Sequence, residues 1–236
     1  MGRRPNYRKS KGKSTKESIK VVISCEDSSG ALEYIKSLII SYDLNPYDSC
    51  DGSRRYTTDA KNLVNFAKES SGKHKFVFFD IDDKCRDDKA NLNDAIQIAK
   101  SNNICIIFSN EAIELWFLLH FKDVTSFIDR KTIFKELRNF LINKKSHLLS
   151  SPQKVNLQKG KLKSINLFRI FTDEESKTAI KRCKKLLQEY KNSKIDICES
   201  NPLTLMCIFI DILEKIKKGE EIDCYRFFMS GYGIEF

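Results

Sequence analysis

Histidine is scarce in this sequence: His74, His120 and His147 are the three in 236 residues. Eight cysteines are present (Cys25, Cys50, Cys85, Cys105, Cys183, Cys198, Cys207 and Cys224), yet no two fall as C-x-x-C. Together these gaps exclude the ligand spacing of a zinc finger or ribbon. Long apolar runs are missing too. A membrane helix needs about 20 apolar residues. The nearest approach, residues 104–121, is interrupted by Asn110, Glu111, Glu114 and His120. The first residues are basic and polar, so no secretory leader is expected. Several cysteines lie in apolar runs, as buried free thiols do, which points to a reducing cytoplasm. No internal repeat is visible, and no membrane contact is expected.

Hydrophobic residues make up 41% and charged residues 31% of the chain, enough apolar mass for one sizeable buried core with an appended piece. The net charge of +10 suits an anionic partner, most simply nucleic acid. Much of the positive charge is clustered. Residues 2–16 hold Arg3, Arg4, Arg8, Lys9, Lys11, Lys13 and Lys16 with almost nothing to bury, and read as a disordered basic arm. Further clusters lie at Arg54-Arg55, Lys144-Lys145, 159–163 and 181–185. Arg54, Arg55, Lys159, Lys161 and Lys163 are the candidates for nucleic-acid binding, with Tyr56 placed to stack a base. A solvated surface is the plain alternative for each.

Strands and helices alternate through the first half. Residues 19–24 read as a strand and 31–41 as a helix with Leu32, Ile35, Leu38 and Ile39 on its apolar face. A short strand at 45–51 and a helix at 58–70 follow. Residues 76–79 are apolar without alternation, the pattern of a strand buried on both faces. A helix at 87–101, a strand at 104–108 and a helix at 111–121 complete the series. This order argues for an α/β fold with a parallel sheet flanked by helices. From about residue 123 the chain turns helical and basic. Helices are expected at 131–144, 174–190 and 201–218, the last with Pro202 in its first turn and Gly219 after its end. The Lys- and Ser-rich stretch 146–165 reads as a loop or mobile insertion.

The residues with chemistry gather at strand ends. The strand 76–79 runs straight into Asp80, Asp82 and Asp83. Ligands of open α/β sheets collect at carboxyl ends of strands. Alternation puts Asp80 and Asp82 on one side. Two carboxylates ~4 Å apart repel by roughly 4 kcal/mol in a protein-like dielectric. A hard divalent cation, Mg²⁺ or Mn²⁺, is a common reason to tolerate that, and a solvated acidic turn is the alternative. If the strands are parallel, Glu26 stands at the same edge. Asn110, Glu111 and Glu114 follow the next strand. Glu114 is costly to bury unpaired, so it reads as part of the site or as a structural ion pair. His120 reads as functional or as a hydrogen-bonded histidine. Trp116 reads mainly as packing. Ser109, Asn110 and Asn201-Pro202 are good helix starts.

Four segments carry a resemblance: V-V-I-S-C-E at 21–26, F-D-I-D-D at 79–83, S-N-E-A-I-E-L-W-F-L-L-H-F at 109–121 and N-P-L-T at 201–204. A glutamate after one strand and D-x-D after a later one resembles the Toprim domain of topoisomerases, primases and OLD-type nucleases. The wording is similar to the RloB-like proteins, which are linked to phage defence and restriction loci. The resemblance implies a Toprim, Rossmann-like fold in which Glu26, Asp80 and Asp82 bind Mg²⁺ (or Mn²⁺). It also implies phosphodiester cleavage, with Glu26, Asp80, Asp82, Glu114 and His120 as the catalytic candidates. The substrate would be RNA, tRNA above all, or DNA in a nicking variant, within an abortive-infection system. An ABC- or AAA-type ATPase is the implied protein partner, and a homodimer is compatible with the pattern. Relatives usually carry Gly after the glutamate and Thr-Glu three to four residues on; here Asp27, Gly30 and Ala31 stand there.

The domain reading is a basic arm at 1–18, an α/β core at 19–122 and a helical basic insertion at 123–200. A C-terminal helix and tail at 201–236 pack back on the core.

Overall fold

A computed structural model describes residues 19–27, 30–50, 57–83, 87–158, 165–193 and 196–228. The basic arm, Arg54, Arg55, Tyr56, Cys85, Lys159, Lys161, Lys163 and the last residues of the tail lie outside them. Among the described residues, β1 (Lys20–Cys25), β2 (Asn45–Asp48), β3 (His74–Asp80), β4 (Ile104–Asn110) and β5 (Leu203–Thr204) form one sheet. The strand order is β2-β1-β3-β4-β5. The first four strands run parallel, and β5 pairs antiparallel with β4 at the edge. This is the α/β sheet with covering helices that the alternation suggests, plus one short antiparallel strand.

The sheet forms where the sequence offers runs with no polar alternation. Val21, Val22 and Ile23 in β1, Phe76 to Phe79 in β3 and Ile104 to Phe108 in β4 are all buried. A parallel strand covered on both faces requires that. Helix α1 (Gly30–Ser41) buries Leu32, Ile35, Leu38 and Ile39, the face read from its spacing. Helix α2 (Ala60–Glu69) starts where the Asp59 side chain accepts the Asn62 N–H at 2.7 Å. Helix α3 (Lys89–Ser101) starts the same way, with Asp88 accepting from Asn91 at 3.0 Å. Each cap satisfies an otherwise orphaned first-turn donor.

Several boundaries differ from the sequence reading. Strand β2 stops at Asp48 rather than 51, because the Asp48 carboxylate turns back to accept the Cys50 N–H at 2.9 Å. Helix α4 covers only Glu114–Leu119 instead of 111–121. The residues before it are held by partners from elsewhere: Asn110 donates to the Cys198 carbonyl at 3.2 Å, and Ile113 N–H donates to Asp80. Helix α5 (Arg130–Lys144) is capped by Asp129. The stretch expected to be a loop contains helix α6 (Ser151–Gln158), begun by Pro152 in its first turn and anchored by buried Leu157. Helix α7 is Asp173–Ser193. The expected helix at 201 begins instead at Met206: β5 occupies Leu203–Thr204, and α8 spans Met206–Lys217. Gly219 follows with a φ of 79°, the left-handed conformation that glycine takes past a helix end. A short helix α9 (Cys224–Phe227) comes last.

The cysteines also depart from expectation. Cys105 is joined to Cys224 and Cys183 to Cys207, with Cα atoms 5.2 and 6.0 Å apart. Cys25 and Cys50 are buried free thiols, and Cys198 is buried as well. The argument from buried thiols to a reducing compartment therefore loses four of its cysteines. Among the described residues, no helix is long and apolar enough to cross a membrane.

Helix α8 packs against the sheet. Phe209 of α8 sets its ring edge-on to Phe76 and Phe78 of the central strand, with centroids 4.9 and 5.0 Å apart. Aromatic pairs in that geometry add to the gain from burial. Phe209→Ala is expected to cost about 3–5 kcal/mol in a urea unfolding series. A loss below about 1 kcal/mol would show that α8 is not part of the core.

Candidate functional site

The sheet order reverses between β1 and β3, since the chain crosses outward from β1 to β2 and then returns to the other side of β1. In open α/β sheets such a switch point leaves a crevice beyond the strand carboxyl ends, where ligands bind. Registry aligns these ends. Cys25 lies opposite Phe78, and Asp80 lies opposite Ser109. The residue leaving β1 at the crevice is Glu26, and the one ending β3 is Asp80.

The two are directly tied. Glu26 N–H donates to the Phe78 carbonyl at 3.0 Å, prolonging the strand ladder by one rung. A Glu26 carboxylate oxygen (Oε2) accepts the Asp80 N–H at 3.0 Å. Asp80 Oδ1 accepts the Ile113 N–H at 2.9 Å, and Asp80 Oδ2 accepts from Arg130 Nη2 at 2.9 Å. The other guanidinium nitrogen, Nη1, is 3.6 Å from Asp82 Oδ2. Asp27 Oδ2 accepts the Ala31 N–H at 3.3 Å, which ties the turn to the start of α1. Glu114, buried at 7% exposure, stands at the first position of α4.

Glu26, Asp27, Asp80, Glu114 and Arg130 line one cleft of about 140 Å³, together with Thr58, Ser109 and apolar residues from β3, β4 and α5. Burial pushes the Asp80 carboxyl well above its ordinary pKa, and the charges of Glu114 and then Glu26 push it further. Arg130 and the Ile113 N–H pull the other way. Acidic groups that follow two other strands, β1 and β4, thus act on the carboxylate that ends β3.

Asp82 is half-buried on the Arg130 side, outside the cleft's lining, and Asp83 is exposed. His120 is the clear departure. Helical residues six apart differ by about 120° in facing, and the short helix ends before it is reached. His120 stacks on Phe171 with centroids 3.9 Å apart, sets its edge toward Trp116, and holds Nδ1 3.0 Å from the Trp116 carbonyl oxygen. Burial lowers its pKa to about 4, and among the described residues its Nε2 has no hydrogen-bond partner. It is a neutral imidazole in an apolar layer, outside the cleft, so the catalytic expectation for it is not met. Trp116 is fully buried and donates to the Tyr34 hydroxyl at 2.9 Å, a packing role as read.

Two residues of the site escaped the sequence reading. Arg130 is one of 42 basic residues and lies fifty positions beyond Asp80, so nothing local marked it. Asn201 looked like a helix start. In the structure its amide closes a two-way clamp on Ile128, donating to the Ile128 carbonyl at 3.0 Å and accepting its N–H at 3.1 Å. That clamp fixes the loop that delivers Arg130. Thr204 of the same segment bonds the Ser109 hydroxyl at 2.7 Å at the end of β4. The basic candidates Arg54, Arg55, Lys159, Lys161 and Lys163 lie outside the described residues.

As the side chains stand, no group of three or more His, Cys, Asp or Glu among the described residues is arranged to hold a metal ion. The donor chemistry nevertheless suits a hard divalent cation: Glu26, Asp80 and Glu114 line one cleft and offer carboxylate oxygens, with the Arg130 guanidinium on Asp80. Because Asp80 is held above its ordinary pKa, the folded state is favoured while Asp80 is protonated and loses that advantage as pH rises through the raised value. Glu114→Gln removes the largest charge acting on Asp80. Its stabilising effect should be near zero at about pH 4 and grow to the order of 1 kcal/mol by about pH 8, read from thermal unfolding. An effect independent of pH would contradict the coupling.

The family model described as RloB-like protein matches residues 21–213. No curated protein and no solved structure matches the chain. The match spans the switch-point glutamate, the aspartate strand, helix α4 and the Asn201 segment, so the chain belongs to the RloB-like family.

Proposed function

We propose that the protein is a Toprim-type, metal-dependent phosphodiesterase that cleaves nucleic acid, RNA such as tRNA in preference to DNA, as the effector of an anti-phage abortive-infection system. The observation that carries the reading is the convergence of Glu26, Asp80 and Glu114 on one cleft at the sheet's switch point. The net charge of +10 supports an anionic substrate. The link of RloB-like proteins to phage-defence loci supports the biological role.

Glu26, Asp80 and Glu114 would hold Mg²⁺ or Mn²⁺, with Asp82 at the margin. When bound, such an ion polarises a phosphate and lowers the pKa of an attacking water. The chain's own residues do the rest. Ile113 N–H fixes one Asp80 oxygen, and Arg130 holds the other. Glu26 orients through the Asp80 N–H and is placed to take or give a proton at the reacting oxygen. The walls from Phe78, Phe134 and Met206 limit water at the acidic floor.

A second reading is a catalytically weak partner of a defence ATPase of the ABC or AAA type. Arg130 on Asp80 favours it, as does Asp27 in the place of the usual glycine. Incubation with a labelled tRNA pool and with supercoiled plasmid, in Mg²⁺, Mn²⁺ or EDTA, separates the two. Cleavage should vanish in EDTA and fall at least about a hundredfold in Glu26→Ala and Asp80→Ala, with His120→Gln close to the parent. Nicking of plasmid alone would move the substrate to DNA. Inertness on both substrates, with tight ATPase binding, would overturn the nuclease in favour of the partner.

A further inference from the structure

Arg130 is the unexplained member of the site. A guanidinium is an odd occupant for a cleft whose acids would otherwise take a divalent cation. It is held there by geometry on both sides. Its Nη2 meets Asp80 Oδ2 at 2.9 Å, and Nη1 lies 3.6 Å from Asp82 Oδ2. Asp80 Oδ1 is already committed to the Ile113 N–H, so Oδ2 is the oxygen an incoming ion would contact, and Arg130 sits on it.

The same geometry makes the contact reversible. The Asp80 side chain is part-buried at 12% exposed, whereas the Arg130 side chain is 40% exposed and reaches solvent. Arg130 is the first residue of α5, so its side chain is not crowded by a preceding helical turn. A second seat exists beside it: the Phe134 ring, one turn along the helix and lining the same cleft, has its centroid 6.0 Å from the guanidinium carbon. Arginine rests readily on an aromatic face. The backbone behind it does not need to move, because Asn201 clamps Ile128.

From these contacts we infer that Arg130 is an exchangeable counter-ion of the site. It holds Asp80 and Asp82 while no divalent cation is bound, and yields Asp80 to the cation when one arrives. This rests on the metal-dependent reading above. Two cations competing for one carboxylate oxygen are linked: whatever removes the guanidinium tightens the metal, and the metal releases the guanidinium. The released arginine then faces an open cleft with its charge available for an anionic group. Arg130 is in this sense a positioning residue, one that keeps the acids ordered before loading.

The test is Mn²⁺ binding by calorimetry, without nucleic acid, on the full chain. Arg130→Gln is compared with the parent and with Lys131→Gln, which removes one exposed positive charge from the adjacent position. Arg130→Gln should bind Mn²⁺ about tenfold more tightly and unfold at a lower temperature without metal, with the difference closing at saturating Mn²⁺. Lys131→Gln should match the parent in both. If Arg130→Gln is folded by circular dichroism yet binds Mn²⁺ no more tightly than Lys131→Gln, the exchange is refuted while the metal site stands. If none of the three binds Mn²⁺, both the exchange and the metal-dependent reading fail. Should Arg130→Gln not fold, Arg130→Lys keeps the charge but loses the two-pronged reach. It should show a smaller tightening, and an unchanged affinity would overturn the inference.

Discussion

A carboxylate taken out of water must be met by donors on every side that water has left. Asp80 ends the central strand largely under that condition, and three other parts of the chain converge on it. Its own N–H is taken by Glu26 from β1, one oxygen by the Ile113 N–H ahead of α4, and the other by Arg130 from α5. The strand that carries it is fixed in turn by buried phenylalanines against Phe209 of α8. Displacing any one of these elements would leave a buried charge poorly compensated, a costly outcome. The site and the core therefore constrain each other: the packing that buries Phe76 to Phe79 is what delivers Asp80 to the crevice.

The second half of the chain is organised by the same need. Asn201 and Thr204 lie far from Asp80 in sequence, yet each holds an element that borders it. Asn201 fixes the backbone of the loop entering α5, and Thr204 joins the Ser109 hydroxyl at the end of β4. The short antiparallel strand β5 exists to bring that segment alongside β4. The helical half is thus more than an attached basic piece; α5 supplies the cation of the site and α8 backs the sheet.

Most of the sheet could be read from the sequence because both-face burial leaves unbroken apolar runs at residues 76–79 and 104–108. Glu26 and Asp80 could be placed together because parallel strands put their carboxyl ends on one rim. What could not be read depended on contacts between distant segments. Helix α4 is short because Asn110 bonds to the 197–198 carbonyls and the Ile113 N–H to Asp80. The helix expected at 201 was preempted by strand pairing, and Leu157 and Pro152 made a helix in a stretch whose composition reads as loop. His120 sits in a segment with site residues, but the helix turns it into the apolar layer against Phe171. Arg130 had no local mark at all.

The central claim is that Glu26, Asp80 and Glu114 form one acidic seat that a divalent cation takes from Arg130. The most direct measurement is anomalous diffraction from a crystal of the full chain soaked in Mn²⁺. The account predicts a peak about 2.1 Å from Asp80 Oδ2, with the Arg130 guanidinium turned away from that oxygen. Absence of a peak at saturating Mn²⁺, with Arg130 still on Asp80, would contradict it.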